Sequence, residues 1–212
     1  MPNAPLFLGE SLQETLESKG IKSQKVRVEF DNRIEGKTIY THKGIPLEKL
    51  VKSALQKSIN LYCEAFLIKL GGGDRAAGIE YIENMLEKDG ILSDSYAFQM
   101  SDGSGLSQRN FMSAKTQAKF LQKQYNKDKG IIQLLAKNGY DGTLKNKFTT
   151  KSLKGKIFGK SGSMGNVRAY TGILKTNSGR ELSFSIMVNN YTANYRKIDQ
   201  HIEKLLLEAV KL

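Results

Sequence analysis

The constraint that most limits this chain lies in its last third, where the apolar period switches from two to nearly four. In the run Leu182-Ser183-Phe184-Ser185-Ile186-Met187-Val188, the residues Leu182, Phe184, Ile186 and Val188 alternate with Ser183 and Ser185. That pattern predicts a strand buried on one face. Asn177-Ser178-Gly179 supplies a hairpin turn before it, joining it to a second strand-like run at residues 168–176. Residues 156–162 supply a third strand. After position 194 the spacing changes: Ile198, Ile202, Leu205, Leu206 and Ala209 fall on one side of a helix. Three antiparallel strands covered by a terminal helix, with a helical block ahead of them, specify an α+β layered domain.

The helical block ahead of it follows from spacing of the same kind. Residues 6–20 predict a short amphipathic helix around Leu12 and Leu16, closed by Gly20. Residues 25–30 and 37–41 are strand-like and are expected to form a hairpin. Pro46 is expected at the first position of a helix, with Leu47, Leu50, Val51, Ala54 and Leu55 on its packing face. The pattern breaks at Lys57-Ser58-Ile59-Asn60. The run Leu61-Tyr62-Cys63-Glu64-Ala65-Phe66-Leu67-Ile68 is apolar nearly all round and predicts a buried helix. Further helices are expected at residues 75–88 and 113–125, a shorter helical turn at 131–136, and an extended stretch at 95–100. The loop Ser101-Asp102-Gly103-Ser104-Gly105-Leu106-Ser107 is dense in hydroxyls and glycines, and such loops either turn tightly or lie against an active cleft. The whole, 1–212, is read as one domain, mainly helical over 45–150 and sheet plus helix over 151–212.

Bulk properties exclude several classes. No apolar run reaches the length of a membrane span, and the first residues lack the head and core of a signal peptide. The single cysteine, Cys63, excludes an internal disulfide and a cysteine-rich metal site; buried filler is its expected use. His42 and His201 are isolated, so neither a metal nor another cofactor is expected. Net charge is +12, and residues 115–160 hold twelve lysines, no arginine, and only Asp128 and Asp141 in opposition. These lysines are spread among apolar residues and lack the arginine and stacked aromatics of a nucleic-acid groove. A solvated face is the favoured reading over a polyanion-binding patch, and no nucleic-acid partner is expected.

One stretch carries chemistry: Gly159-Lys160-Ser161-Gly162-Ser163. Gly-Lys-Ser also closes the phosphate-binding P-loop, but that loop needs four residues between its glycines and must open a helix. Here Gly155 and Gly159 enclose three residues, and strand follows. A cation beside a hydroxyl, with a glycine next, suits a carboxylate held against a strand. Spacing alone assigns Ser58 and Asn60 to helix capping rather than chemistry. Asp102 and Glu64 are assigned to loop and helix structure rather than acid–base work.

Together and in this order, Ser58-Ile59-Asn60 and Lys160-Ser161-Gly162 resemble the Ser-x-Asn and Lys-Thr/Ser-Gly motifs of the penicillin-recognising serine enzymes. The flanking text is most similar to class C low-molecular-mass penicillin-binding proteins, the D-alanyl-D-alanine carboxypeptidase/endopeptidases of the bacterial envelope. It comprises Lys57-Ser58-Ile59-Asn60-Leu61-Tyr62-Cys63-Glu64, the run 102–107 with Asn110, and Tyr170-Thr171-Gly172 with Ser178-Gly179-Arg180. The resemblance runs from about residue 6 to 212. It implies part of a penicillin-binding-protein/β-lactamase-like transpeptidase domain in the periplasm or cell envelope. The implied partners are the D-Ala-D-Ala stem peptide of peptidoglycan and β-lactams. It further implies that Ser58 relays a proton and that Asn60 positions the substrate amide and the catalytic lysine. Lys160 then supplies positive potential, and Ser161 binds the terminal carboxylate. Gly162 admits substrate backbone, and the Ser163 N–H forms half of an oxyanion hole.

One departure is serious. The family's nucleophile stands in Ser-x-x-Lys, and no serine in this chain has lysine three places later. The nearest run, Thr116-Gln117-Ala118-Lys119, follows the Ser-x-Asn motif instead of preceding it. The chain is therefore expected to hold a substrate-binding portion without its attacking group, inactive alone. The alternative is a silent peptidoglycan-binding or scaffold fragment. On either reading it is expected to expose packing faces and to be marginal or self-associating, unless the missing segment covers them.

Overall fold

The computed structural model of the chain describes residues 3–29, 38, 40–92 and 98–212. Its contacts divide the chain into two compact units, Met1–Gly44 and Ile45–Leu212. The cut falls where the expected helical part begins, within what sequence pattern reads as one domain.

In the first unit, helix α1 spans Ala4–Ser18. Asn3 caps it, its Oδ1 accepting from Leu6 N at 3.1 Å. Gly20, at φ +76°, turns the chain so that Ile21 N bonds Leu16 O at 3.0 Å. No residue of α1 is buried; of the two leucines that define its pattern, Leu12 is exposed and Leu16 half-buried. Val26 instead lies against the backbone of Gly9, where an added Cβ would meet Val26 Cγ1 at 2.4 Å. Residues 25–29 form no regular strand, and 30–37 and 39 lie outside the described residues, as do 93–97. The expected hairpin at 25–41 therefore falls mostly outside the description.

The second unit carries the remaining elements. Helix α2 is Leu47–Lys57, α3 is Asn60–Leu70, α4 is Arg75–Lys88 and α5 is Ala114–Lys127. Two-residue strands β1 (Phe98–Gln99) and β2 (Phe111–Met112) pair across the glycine-rich loop. Pro46 is the N-cap of α2 rather than its first helical residue. The expected turn at 131–136 is a 3₁₀ helix at Lys129–Leu134, because Asp128 caps it early by accepting from Gly130 N at 2.7 Å.

Among the described residues the main sheet has four strands, one more than expected. β3 (Ala136–Lys137), β4 (Ile157–Met164), β5 (Val167–Lys175) and β6 (Glu181–Asn189) run antiparallel in that order. Helix α6, Tyr195–Ala209, covers one face. Period two is obeyed on all the long strands. Ile157, Tyr170, Leu174, Phe184, Ile186 and Val188 point toward α6 and meet Ile202, Leu206 and Val210. Phe158 and Ile173 point the other way and pack with Leu121, Tyr125 and Leu135.

Two polar devices lock this core. Asn138, 0% exposed, donates from Nδ2 to Phe148 O (2.7 Å) and Leu153 O (3.0 Å), while its Oδ1 accepts from Ile157 N at 2.9 Å. It thereby ties the loop after β3 to the start of β4, with its amide fully used. Asp199 of α6 accepts from Arg168 Nε (2.9 Å) and Nη2 (2.8 Å), Lys147 Nζ (2.6 Å) and Tyr170 Oη (2.8 Å).

The apolar run at 61–68 is not the buried helix its composition implies. Of α3 only Leu67 is buried, while Leu61 is 75% and Leu70 48% exposed. A helix apolar all round states which surface can be buried, not which surface is covered.

Candidate functional site

Ser58 and Lys160 are 102 residues apart in sequence, and the fold brings Lys160 Nζ to donate to Ser58 Oγ at 2.8 Å. Ser58 reaches this position by an unusual backbone. It is the C-cap of α2 at φ 57°, ψ 52°, the left-handed region that costs a residue with a Cβ about 1 kcal/mol. Ile59 then caps α3, with no side-chain cap bond, and Asn60 is the first residue of that helix. Ser58 and Asn60 thus do not act as the side-chain caps that spacing favours. The kink between α2 and α3 presents the Ser58 hydroxyl to the sheet.

Lys160 lies on the sheet face opposite α6. It pairs with Thr171, which pairs in turn with Ser185. Thr171 Oγ1 and Ser185 Oγ both bond Gln117 Oε1, the latter at 2.8 Å, and lie 3.1 Å apart. A polar row therefore crosses three strands in register, with α5 supplying its partner at the far end. Burial pulls the Lys160 ammonium below the usual lysine range, and Cys63, one turn into α3, partly opposes it. Burial likewise pushes the Cys63 thiol up against the pull of Lys160. Cys63 is half-buried rather than core filler.

The next residues use the other face and the strand's edge. Ser161 Oγ donates to Thr143 Oγ1 at 2.8 Å. Lys160 Nζ also bonds the Ser161 carbonyl. Backbone groups of an antiparallel strand alternate in side. Ile157 sends its N–H to Asn138 Oδ1 and its C=O to Asn138 N, both on the β3 side. Counting by twos puts the N–H and C=O of Gly159, Ser161 and Ser163 on that side as well. β3 pairs only as far as Phe158 and Gly159, so among the described residues Ser161 and Ser163 face an edge without a strand partner. Gly162 is exposed there, and a methyl on it would meet only Ala169 Cβ at 3.6 Å, an ordinary contact.

Asp102 and Glu64 have the structural parts expected of them. Asp102 accepts from Gly105 N (2.6 Å), Ser107 N (2.7 Å), Ser104 Oγ (3.2 Å) and Asn110 Nδ2 (3.0 Å), which organises the glycine-rich loop. Burial works to raise its carboxyl, but these bonds prevail and hold it below the usual range. Glu64 Oε2 accepts from Gly103 N at 2.9 Å, anchoring that loop to α3. Its Oε1 lies 2.6 Å from Arg75 Nε, an ion pair not aligned as a hydrogen bond. Thr116, the nearest thing to a nucleophile before a lysine, is 3% exposed and bonds Ser113 Oγ at 2.8 Å as part of the α5 cap.

Thr143, Gln117, Thr171 and Ser185 carry no sequence signal that assigns them to the site. The strand register alone places the last two beside Lys160, while a turn and a helix deliver the others. No group of three or more His, Cys, Asp or Glu able to hold a metal occurs among the described residues.

The model of the D-Ala-D-Ala carboxypeptidase 3 (S13) family matches residues 1–209. The chain belongs to that family. Among curated relatives, penicillin-sensitive carboxypeptidase A of Dictyostelium discoideum is 28% identical over 183 residues, 78% of this chain and 34% of its own length. D-alanyl-D-alanine carboxypeptidase DacB of Haemophilus influenzae is 24% identical over 207 residues, 90% of this chain and 41% of its own. The chain thus spans well under half the length of the curated relatives it matches. Among solved structures, penicillin binding protein 4 (dacB) of Haemophilus influenzae, complexed with a novel β-lactam, superposes with a TM-score of 0.87 at 21% identity. That match covers 99% of this chain and 52% of the other. The Bd0816 predatory endopeptidase of Bdellovibrio bacteriovorus gives 0.69 at 17% identity, over 98% and 57%. These likenesses establish the fold, α+β with a helical region ahead of an antiparallel sheet and C-terminal helix.

Proposed function

We propose that this chain is the substrate-binding portion of a serine-type D-alanyl-D-alanine carboxypeptidase/endopeptidase acting on peptidoglycan stem peptides in the cell envelope. The observation that carries the reading is the 2.8 Å contact between Lys160 Nζ and Ser58 Oγ. A half-buried ammonium against a hydroxyl orients the oxygen's lone pairs and eases loss of its proton, which suits Ser58 to relay a proton toward a leaving group. The same ammonium offers positive potential to a terminal carboxylate. Ser161 adds a hydroxyl to that carboxylate, and the edge at Ser161 and Ser163, without a strand partner among the described residues, can pair with an extended peptide. On that edge the Ser163 N–H is available to an oxyanion. Asn60, at the start of α3, would hold the substrate amide. Gly162 leaves room for the peptide backbone.

Acylation by a fluorescent penicillin tests the division of labour. The chain alone is expected to remain unlabelled on a denaturing gel, because none of its serines stands before lysine at the required spacing. Stoichiometric labelling would overturn this half of the reading. Acetyl-D-alanyl-D-alanine is expected to give saturable NMR shifts with the wild type and none with Lys160→Met. Absence of any wild-type response would remove the substrate site altogether.

A second reading, a silent wall-binding fragment, draws support from the buried Thr116 and the lysines of residues 115–160. It predicts binding to isolated sacculi that falls steeply with salt and is indifferent to Lys160→Met.

A further inference from the structure

The Ser161 hydroxyl donates to Thr143 Oγ1 at 2.8 Å. A carboxylate accepts hydrogen bonds and cannot donate them. A carboxylate binding at Ser161 must therefore take that proton, and the Ser161 oxygen is then free to accept. The group already within reach is the Thr143 hydroxyl, which can rotate to donate.

Thr143 is firmly held for this task. It is the middle residue of the turn Gly142–Leu144. Leu144 is in the core, and its carbonyl accepts from Gly139 N at 3.1 Å. On the other side Gly142, at φ +52°, lies so close to α2 that an added Cβ would meet Gln56 O at 2.5 Å. The turn is thus wedged between the core and the helix that ends at Ser58.

We propose that Thr143 is a positioning residue for Ser161, and that the two hydroxyls form a relay that reverses direction when a carboxylate binds. At rest Ser161 donates to Thr143; with ligand, Thr143 donates to Ser161 and Ser161 donates to the carboxylate. No covalent bond changes, and each hydroxyl keeps its own proton. Hydrogen bonds in series polarise one another, so the relay strengthens the donor offered to an anion. A carboxamide gains less, because its NH₂ can donate to Ser161 and leave the resting bond to Thr143 in place. The relay is therefore a selectivity device for a free C-terminus, and it rests on the substrate-site reading above.

The test is an NMR titration of the 212-residue chain with acetyl-D-alanyl-D-alanine and with its C-terminal carboxamide. Thr143→Val is expected to weaken the carboxylate by about five- to tenfold and the carboxamide by less than about twofold, one supported hydrogen bond being lost. Thr143→Ser restores the wild-type ratio. Equal weakening of both ligands, or an unchanged ratio, overturns the relay and leaves Thr143 a packing residue. If Thr143→Val does not fold by circular dichroism, Thr143→Ala carries the same comparison. Wild-type protein that binds neither ligand sinks the substrate site and the relay with it. Wild-type binding abolished by Lys160→Met but indifferent to position 143 sinks the relay alone.

Discussion

The two faces of the main sheet are built from the same three long strands and serve opposite ends. Toward α6, before the strand end at Ser161 and Ser163, the core is apolar, with Ile157, Tyr170 and Leu174 buried against Ile202 and Leu206 of that helix. Their few polar neighbours are consumed internally, as at Asp199, whose carboxylate holds two cations and a tyrosine. Toward the helical block the apolar packing stops at Phe158 and Ile173, and the next row is Lys160, Thr171 and Ser185. One face stores stability in satisfied groups. The other keeps a half-buried cation and a left-handed serine, both of which cost stability and both of which touch each other. Stability–function trade-offs take this form, with strain tolerated where a site needs it and offset elsewhere.

The largest expected effect belongs to the covered face, at Asn138. Its replacement by alanine strands two buried carbonyls and the Ile157 N–H at the root of β4. Each orphaned group costs about 1–3 kcal/mol, and a total loss of roughly 4 kcal/mol is expected from urea unfolding. A loss under 1 kcal/mol would show that water or a shifted loop replaces the amide, and that β4 is not anchored where we place its anchor.

A smaller effect, confined to acid, comes from Asp199. Burial works to raise its carboxyl, but hydrogen bonds from Arg168, Lys147 and Tyr170 bring it down to about 2. Arg168 and Asp199 side chains are only 12% and 13% exposed, so solvent screens the pair little. A carboxyl depressed in the folded state stabilises the fold above its unfolded pKa, near 4. That contribution is lost as pH falls toward 2, about 2 kcal/mol in all. Denaturant midpoints of the wild type are expected to drop between pH 4 and pH 2. Asp199→Asn, less stable at neutral pH, is expected to lack that component. Parallel profiles for the two proteins would place the acid sensitivity elsewhere.

These two residues also mark what the sequence could and could not disclose. Alternation in residues 182–188 and the spacing from Ile198 to Ala209 were enough to lay down the α6 face, because burial imposes a period that composition records. The two motifs were legible for a different reason, as their residue types are rare together in that order. Asn138 was not legible: an Asn-Gly pair reads as a turn, and only the fold reveals that its amide bridges three backbone groups. Thr143 and Gln117 were hidden likewise, since they reach Ser161 and Thr171 from a turn and a helix whose placement no local pattern states. The burial of α3 is not legible because uniform apolarity carries no direction. β3 escaped because two residues are too few to show any period.

The smallest effect on stability belongs to a glycine, and it separates the faces most sharply. Gly159 and Gly172 face each other across β4 and β5, and a Cβ on either would strike backbone: Thr171 O at 2.6 Å from the first, Phe158 O at 2.4 Å from the second. Glycine there is a packing requirement. At Gly162, three residues along the same strand, a Cβ would make only an ordinary 3.6 Å contact, and its φ is not in the left-handed region. Gly162→Ala is therefore expected to leave the fold unchanged or up to about 1 kcal/mol more stable, through a less flexible unfolded chain. If a peptide lies along this edge, the added methyl occupies its path, and acetyl-D-alanyl-D-alanine binding is expected to weaken by at least about tenfold, a clash of roughly 1.4 kcal/mol or more. Calorimetric melting and the same NMR titration read the two quantities from one sample. Stable protein with undiminished binding would mean that the ligand does not approach the strand at Gly162, and the site would have to be redrawn around the Lys160 ammonium alone.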